Sequence, residues 1–136
     1  MILADSGYLI ALAKPRDALH SKAVAWSQLV DEPLLVSEYV LWETVNFLSL
    51  LRDRSKAHPL VEQVMNVPPF VFVPASPELF AAGLRLHRER PDKEWSLTDC
   101  VSFHLMRERG LTRALAYDAH FEQAGFEALL RRDPPA

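Results

Sequence analysis

Short, uniformly apolar runs alternate along the chain with longer stretches in which apolar positions recur at helical spacing. Ile2-Leu3-Ala4 reads as a buried strand, followed by an apolar helical turn over Tyr8–Ala13 that Lys14-Pro15 stops. From Ala18 to Val30, apolar residues at Leu19, Ala23, Val24, Trp26 and Val30 fit an amphipathic helix. Leu34-Leu35-Val36 is a second buried strand. Ser37 then caps a helix predicted over Glu38 to about Arg52, and another helix follows over about Ser55–Asn66 with Pro59 in its first turns. Phe70–Val73 is β-branched and aromatic throughout and reads as a strand.

Ser76-Pro77-Glu78 combines a cap residue, a proline suited to the first helical position and an acid near the positive dipole end. It opens a helix to about Arg88. Arg90–Glu94 is a polar loop, and Ser96 or Thr98 starts a helix that Gly110 ends. Ala114–Tyr117 is a strand, and Phe126–Leu130 predicts a last edge strand. Continuous apolar strands separated by helices indicate an α/β protein. The expected architecture is a three-layer α/β/α sandwich with a mainly parallel central sheet, formed by one domain over residues 1–136.

Composition narrows the class. In 136 residues, 49% hydrophobic, there is apolar material for one core and not two. The single cysteine, Cys100, excludes an internal disulfide framework, and its place beside Asp99 suits a small core residue. Met1–Asp5 brings an acid where a secretory leader needs a basic start. No run approaches the roughly 20 apolar residues of a membrane span, so a cytoplasmic protein is expected. Eighteen acids against fifteen bases give a net charge of −3, which argues weakly against a nucleic-acid partner. Removing four particular acids from the eighteen leaves fourteen against fifteen bases, so the excess is concentrated in them.

Those four are Asp5, Glu43, Asp99 and Asp118. In an open parallel sheet, ligands bind beyond the carboxyl ends of the strands. Asp5 follows the first strand and Asp118 the strand ending at Tyr117. Asp99 lies in the first turn of a helix, and Glu43 is just over one turn into the helix after the second strand. All four can therefore meet at one end of the sheet. Each also has a structural role open to it. Asp5 and Asp118 suit helix caps, and Asp99 stands three residues after Ser96 as in a capping box. Glu43 is read as flanked by apolar residues on every side of its helix, a costly place for an unpaired carboxylate, with Asn46 one turn on to orient it.

Carboxylates gathered in this way require protons or cations between them. Hard oxygen donors select Mg²⁺ or Mn²⁺, and His20, His58, His87, His104 and His120 show no zinc-like spacing. Of the five, only His120 is expected near the acids. Lys14 and Arg16, at the expected rim, and Arg90 and Lys93 before Asp99 are candidate phosphate contacts, while Arg52, Arg54 and Lys56 cluster elsewhere.

The same segments resemble the motifs of PIN-domain ribonucleases. Ile2-Leu3-Ala4-Asp5-Ser6 resembles the family's opening, and Val36 to Thr44, containing Glu43, its second acidic motif. Trp95-Ser96-Leu97-Thr98-Asp99-Cys100 resembles the third, and Ala114 to Phe121, containing Asp118, the fourth. In length the chain is similar to VapC-type toxins of bacterial toxin–antitoxin systems. The resemblance implies Mg²⁺- or Mn²⁺-dependent RNA cleavage, frequent homodimers and inhibition by a small antitoxin. Carried over, Asp5, Asp99 and Asp118 would hold metal, with Glu43 a further ligand or a base acting through water. Ser6 matches the family's small hydroxyl residue after the first acid. Ala116 departs from the pattern, standing where Thr or Ser is common, so that Ser6 or Thr98 would take over any role of that hydroxyl. The competing expectation is a PIN-like module kept for RNA or protein contacts without catalysis. A phosphoaspartyl enzyme fits poorly, because Gly7 stands where its second acid would be.

Overall fold

The computed structural model describes residues 1–135. Five strands form one sheet: β1 (Ile2–Ala4), β2 (Leu34–Ser37), β3 (Phe70–Val73), β4 (Arg113–Leu115) and β5 (Glu127–Ala128). Every pairing is parallel, and the spatial order is β3-β2-β1-β4-β5. The helices are α1 (Ser6–Ala13), α2 (His20–Leu29), α3 (Glu38–Phe47), α4 (Arg54–Asn66), α5 (Pro77–Glu89), α6 (Leu97–Glu108) and α7 (Ala119–Gln123).

Alternation along the strands divides the core in two. Ile2, Ala4, Leu34 and Val36 face one way and pack with Tyr8, Trp26, Leu41 and Val64 from α1 to α4. Leu3, Leu35 and Ala114 face the other way, against Val101, Phe103 and Phe121 from α6 and α7. The strands are thus apolar on both faces, as a covered parallel sheet requires. This is the expected α/β/α sandwich.

The helix starts follow the sequence signals. Ser37 Oγ accepts from Val40 N at 3.2 Å, and Ser76 Oγ from Leu79 N at 3.0 Å with Pro77 at the first turn. Ser96 and Asp99 form a reciprocal capping box at α6, and Gly110, at φ +67°, supplies the left-handed residue beyond its end.

Three expected boundaries are corrected. The helix predicted to Arg52 ends at Phe47, and residues 48–53 turn back with Asp53 N and Arg54 N both donating to Leu50 O. Leu50 and Leu51 are solvent-exposed, so the apolar run there is not a buried helical face, while buried Asp53 anchors the turn to Lys14. The last strand is only Glu127–Ala128. Leu129–Arg131 coils into a 3₁₀ turn that buries Leu129 and Leu130, and Leu130 N reaches Ala116 O. Tyr117 likewise lies outside β4.

Candidate metal centre

β1 sits at the middle of the sheet, with β2 on one side and β4 on the other. The strand order reverses there, which opens a crevice at the carboxyl ends. Asp5 leaves β1 directly and its backbone N–H donates to Leu115 O at 3.1 Å, while Asp118 lies three residues beyond β4. Packing brings the α6 start alongside. Phe103 of α6 meets Trp95 and Phe121 edge-on, each at 5.0 Å between ring centres, tying the segment that carries Asp99 to the one that carries Asp118.

The result is an open cavity of about 580 Å³ whose walls include Asp5, Glu43, Glu94, Asp99, Asp118 and His120. The four acids expected to converge do so. Asp5 occupies the cap position of α1 but makes no side-chain cap, which removes the structural alternative for it. Asp99 and Asp118 serve as caps and line the cavity as well. Asp99 Oδ2 accepts from Ser96 N at 3.1 Å and lies 3.0 Å from His120 Nδ1. Asp118 Oδ1 accepts from His120 N at 2.9 Å. His120 Nδ1 is also 3.3 Å from Asp118 Oδ1, so one ring nitrogen faces both carboxylates.

Several expectations change. Glu43 is half-buried, and its neighbours Trp42 and Phe47 are exposed, so it is not enclosed by apolar residues. Asn46 is exposed and makes no hydrogen bond to it. Ser6 does so instead, its Oγ donating to Glu43 Oε1 at 2.5 Å. Thr98 lines a shallow hollow beside Glu43 with no bond to the acids. Among the described residues, the tightest set of donor atoms is Asp99, Asp118 and His120, all within 4.8 Å of one another; His120, rather than Asp5, completes that trio. Glu94 also lines the cavity, as does Arg131, which stacks over Tyr117 and pairs with Glu122. Nothing in the sequence separated Glu94 from its charged loop. His120 had a signal in its position two residues after Asp118.

The acids in the cavity repel one another. Burial pushes the Asp5 carboxyl up to about 7 from an ordinary 3.8. The charges of Asp99, Glu43 and Asp118 add to that rise, and a hydrogen bond from the Ser6 backbone opposes it. Carboxylates so arranged favour a shared divalent cation, and the donor set of several carboxylate oxygens and one imidazole fits one. No helix among the described residues is long and apolar enough to cross a membrane.

Comparison with known proteins agrees with this geometry. The PIN domain family model matches residues 2–127. The chain is 31% identical to the 23S rRNA-specific endonuclease VapC20 of Mycobacterium tuberculosis, over 93% of this chain and 95% of that protein. The crystal structure of M. tuberculosis VapC20, described as a sarcin–ricin loop cleaving toxin, superposes with a TM-score of 0.87 at 23% identity, covering 94% and 98% of the two chains. FitAcB from Neisseria gonorrhoeae matches with a TM-score of 0.68 at 21% identity, covering 93% and 95%. With the sheet order, the acidic crevice and the family model in agreement over nearly its whole length, the chain belongs to the PIN domain family.

Proposed function

We propose that this chain is a metal-dependent endoribonuclease of the VapC type, acting as a single cytoplasmic domain and as the toxin of a toxin–antitoxin pair. The observation that carries the reading is the meeting of Asp5, Glu43, Asp99 and Asp118 in one crevice at the centre of the sheet. The relationship to VapC20, an rRNA endonuclease, supports RNA as the substrate. A cognate antitoxin and a second copy of the chain are the proposed protein partners.

Asp5, Asp99 and Asp118 would hold Mg²⁺ or Mn²⁺, and His120 stands within reach of the same ion. A divalent ion bound there supplies Lewis acidity, making water a nucleophile near neutral pH and stabilising charge on the departing oxygen. The protein's own part is orientation. Ser96 and His120 fix Asp99, the α7 backbone fixes Asp118, and Ser6 fixes Glu43 through Oε1. That leaves Glu43 Oε2 as acceptor for the proton of the attacking water.

RNA incubated with Mg²⁺ should be cut by the wild-type protein to fragments with 5′-phosphate ends. Asp99→Asn, or excess chelator, should abolish cutting. Wild-type rates in the Asp99→Asn protein would refute the proposal.

A further inference from the structure

The acidic crevice has a basic neighbour. Lys14, Arg16, Arg52 and Lys56 line a separate cavity of about 610 Å³, together with Asp17 and Asp53. In the sequence these cations form two unrelated clusters; the turn after α3 brings them together. Asp53 is the floor of the cavity, only 2% exposed. Its carboxylate lies 3.2 Å from Lys56 Nζ, 3.3 Å from Lys14 Nζ and 3.7 Å from Arg52 Nε. Its buried Oδ2 is ion-paired with Lys14 and Arg52 without a well-aligned hydrogen bond among the described residues. One oxygen of Asp17 is committed to Leu19 N at 2.9 Å. Lys14 is further held over the Phe47 ring, 5.3 Å from its centre.

Four cations facing two acids leave two positive charges converging on a concave surface. Asp53 holds Lys14, Arg52 and Lys56 together, and the positive excess that it does not balance would be offset by an anion entering the cavity. A phosphate fits: it is anionic and accepts from several N–H groups at once.

The position fits a strand that also crosses the acids. Ser6 and Gly7, at the start of α1, line the acidic crevice, while Lys14 follows its end. Eight helical residues separate the two by about 12 Å. Asp17 lines the basic cavity and Leu19 the acidic one, so the two adjoin along a single loop. A separation of about 12 Å is too long to share an ion. It is a span that a few nucleotides of one extended strand would cross.

We infer that the cavity of Lys14, Arg52 and Lys56 over Asp53 is a phosphate-binding subsite that grips the RNA strand a few nucleotides from the bond being cut. Lys14, Arg52 and Lys56 contact the phosphate, and Asp53 is a positioning residue. The inference rests on the ribonuclease reading, and the test separates the two.

Binding is measured by fluorescence anisotropy of a labelled single-stranded RNA on the Asp99→Asn protein in chelator, with and without Arg52→Ala/Lys56→Ala. Both substituted side chains are solvent-accessible, and an unchanged melting temperature checks the fold. The subsite predicts at least a tenfold loss of affinity. It also predicts a shallower dependence of log affinity on log salt, by about 0.7 for each phosphate no longer neutralised. Arg52→Lys/Lys56→Arg should restore most of the binding. In otherwise wild-type protein, the double alanine variant should lower kcat/KM by a similar factor, with the loss falling on KM. Cleavage with unchanged affinity and salt dependence overturns the subsite and spares the nuclease. Binding that depends on Arg52 and Lys56 in a protein that cuts no RNA supports the subsite and removes the nuclease. RNA binding absent altogether overturns the subsite, and binding of the same surface to an acidic protein alone does so as well.

Discussion

Asp5 is where the cost of assembling the crevice falls. Its carboxyl is held at about 7, by burial first and then by Asp99, Glu43 and Asp118, against 3.8 in the unfolded chain. A native state that holds a proton more tightly than the unfolded state is stabilised fully below about pH 4 and loses that stability as pH rises through about 7. The difference of about three units is worth at most about 4 kcal/mol. Metal-free protein should therefore melt lower at about pH 7.5 than at about pH 5, and Asp5→Asn should flatten that slope. Identical slopes in the two proteins would show that Asp5 does not carry the effect. Ser6 acts differently, by holding a neighbour. Ser6→Ala frees Glu43 Oε1 and should slow RNA cleavage by about 10- to 100-fold with little change in melting temperature; an undiminished rate would remove Ser6 from the site. The acids were legible in the sequence because strand ends and helix starts place them without reference to distant packing. The partner of Glu43 was not. Asn46 shares its helix, but Ser6 comes from α1, and only packing sets those two helices together.

Among elements, α5 and α6 make the most intimate contact. Gly83 permits it. A Cβ added there would lie 2.5 Å from Val101 Cγ2, and a helical valine has one strongly preferred rotamer and cannot turn aside. Gly83→Ala gains up to about 1 kcal/mol of helix propensity but meets an overpacking cost of about 1–3 kcal/mol. It should lower the melting temperature, and because α6 carries Asp99, activity should fall with it. A variant as stable as wild type would mean that α6 yields more easily than its packing indicates. The element starts were readable from short-range chemistry, as at Ser37, Ser76-Pro77 and the Ser96–Asp99 box. The ends that misled were set by tertiary contacts. Asp53 draws the chain inward after Phe47, and Leu129–Leu130 leave the sheet edge to bury themselves beside β4.

At the scale of the molecule, the parallel order β3-β2-β1-β4-β5 turns scattered acids into a site, because its reversal point is the one place where the segments after β1 and β4 adjoin. The alternation of apolar strands with amphipathic helices made that architecture readable from the residues alone. The charge distribution was only half readable. The acids could be grouped from strand ends, whereas Lys14 and Arg16 join Arg52 and Lys56 only through the turn after α3. The overall charge of −3 thus conceals a negative crevice beside a positive hollow, the pairing that the proposed metal site and RNA subsite require.

The central claim is that these carboxylates share a cation, and calorimetric titration of Mn²⁺ into metal-free protein at about pH 7.5 tests it without reference to any substrate. The wild-type chain should give a saturable isotherm with proton release, and Asp99→Asn and Asp118→Asn should each weaken it at least tenfold while the fold persists. Superimposable isotherms for the wild-type protein and both variants would contradict the claim.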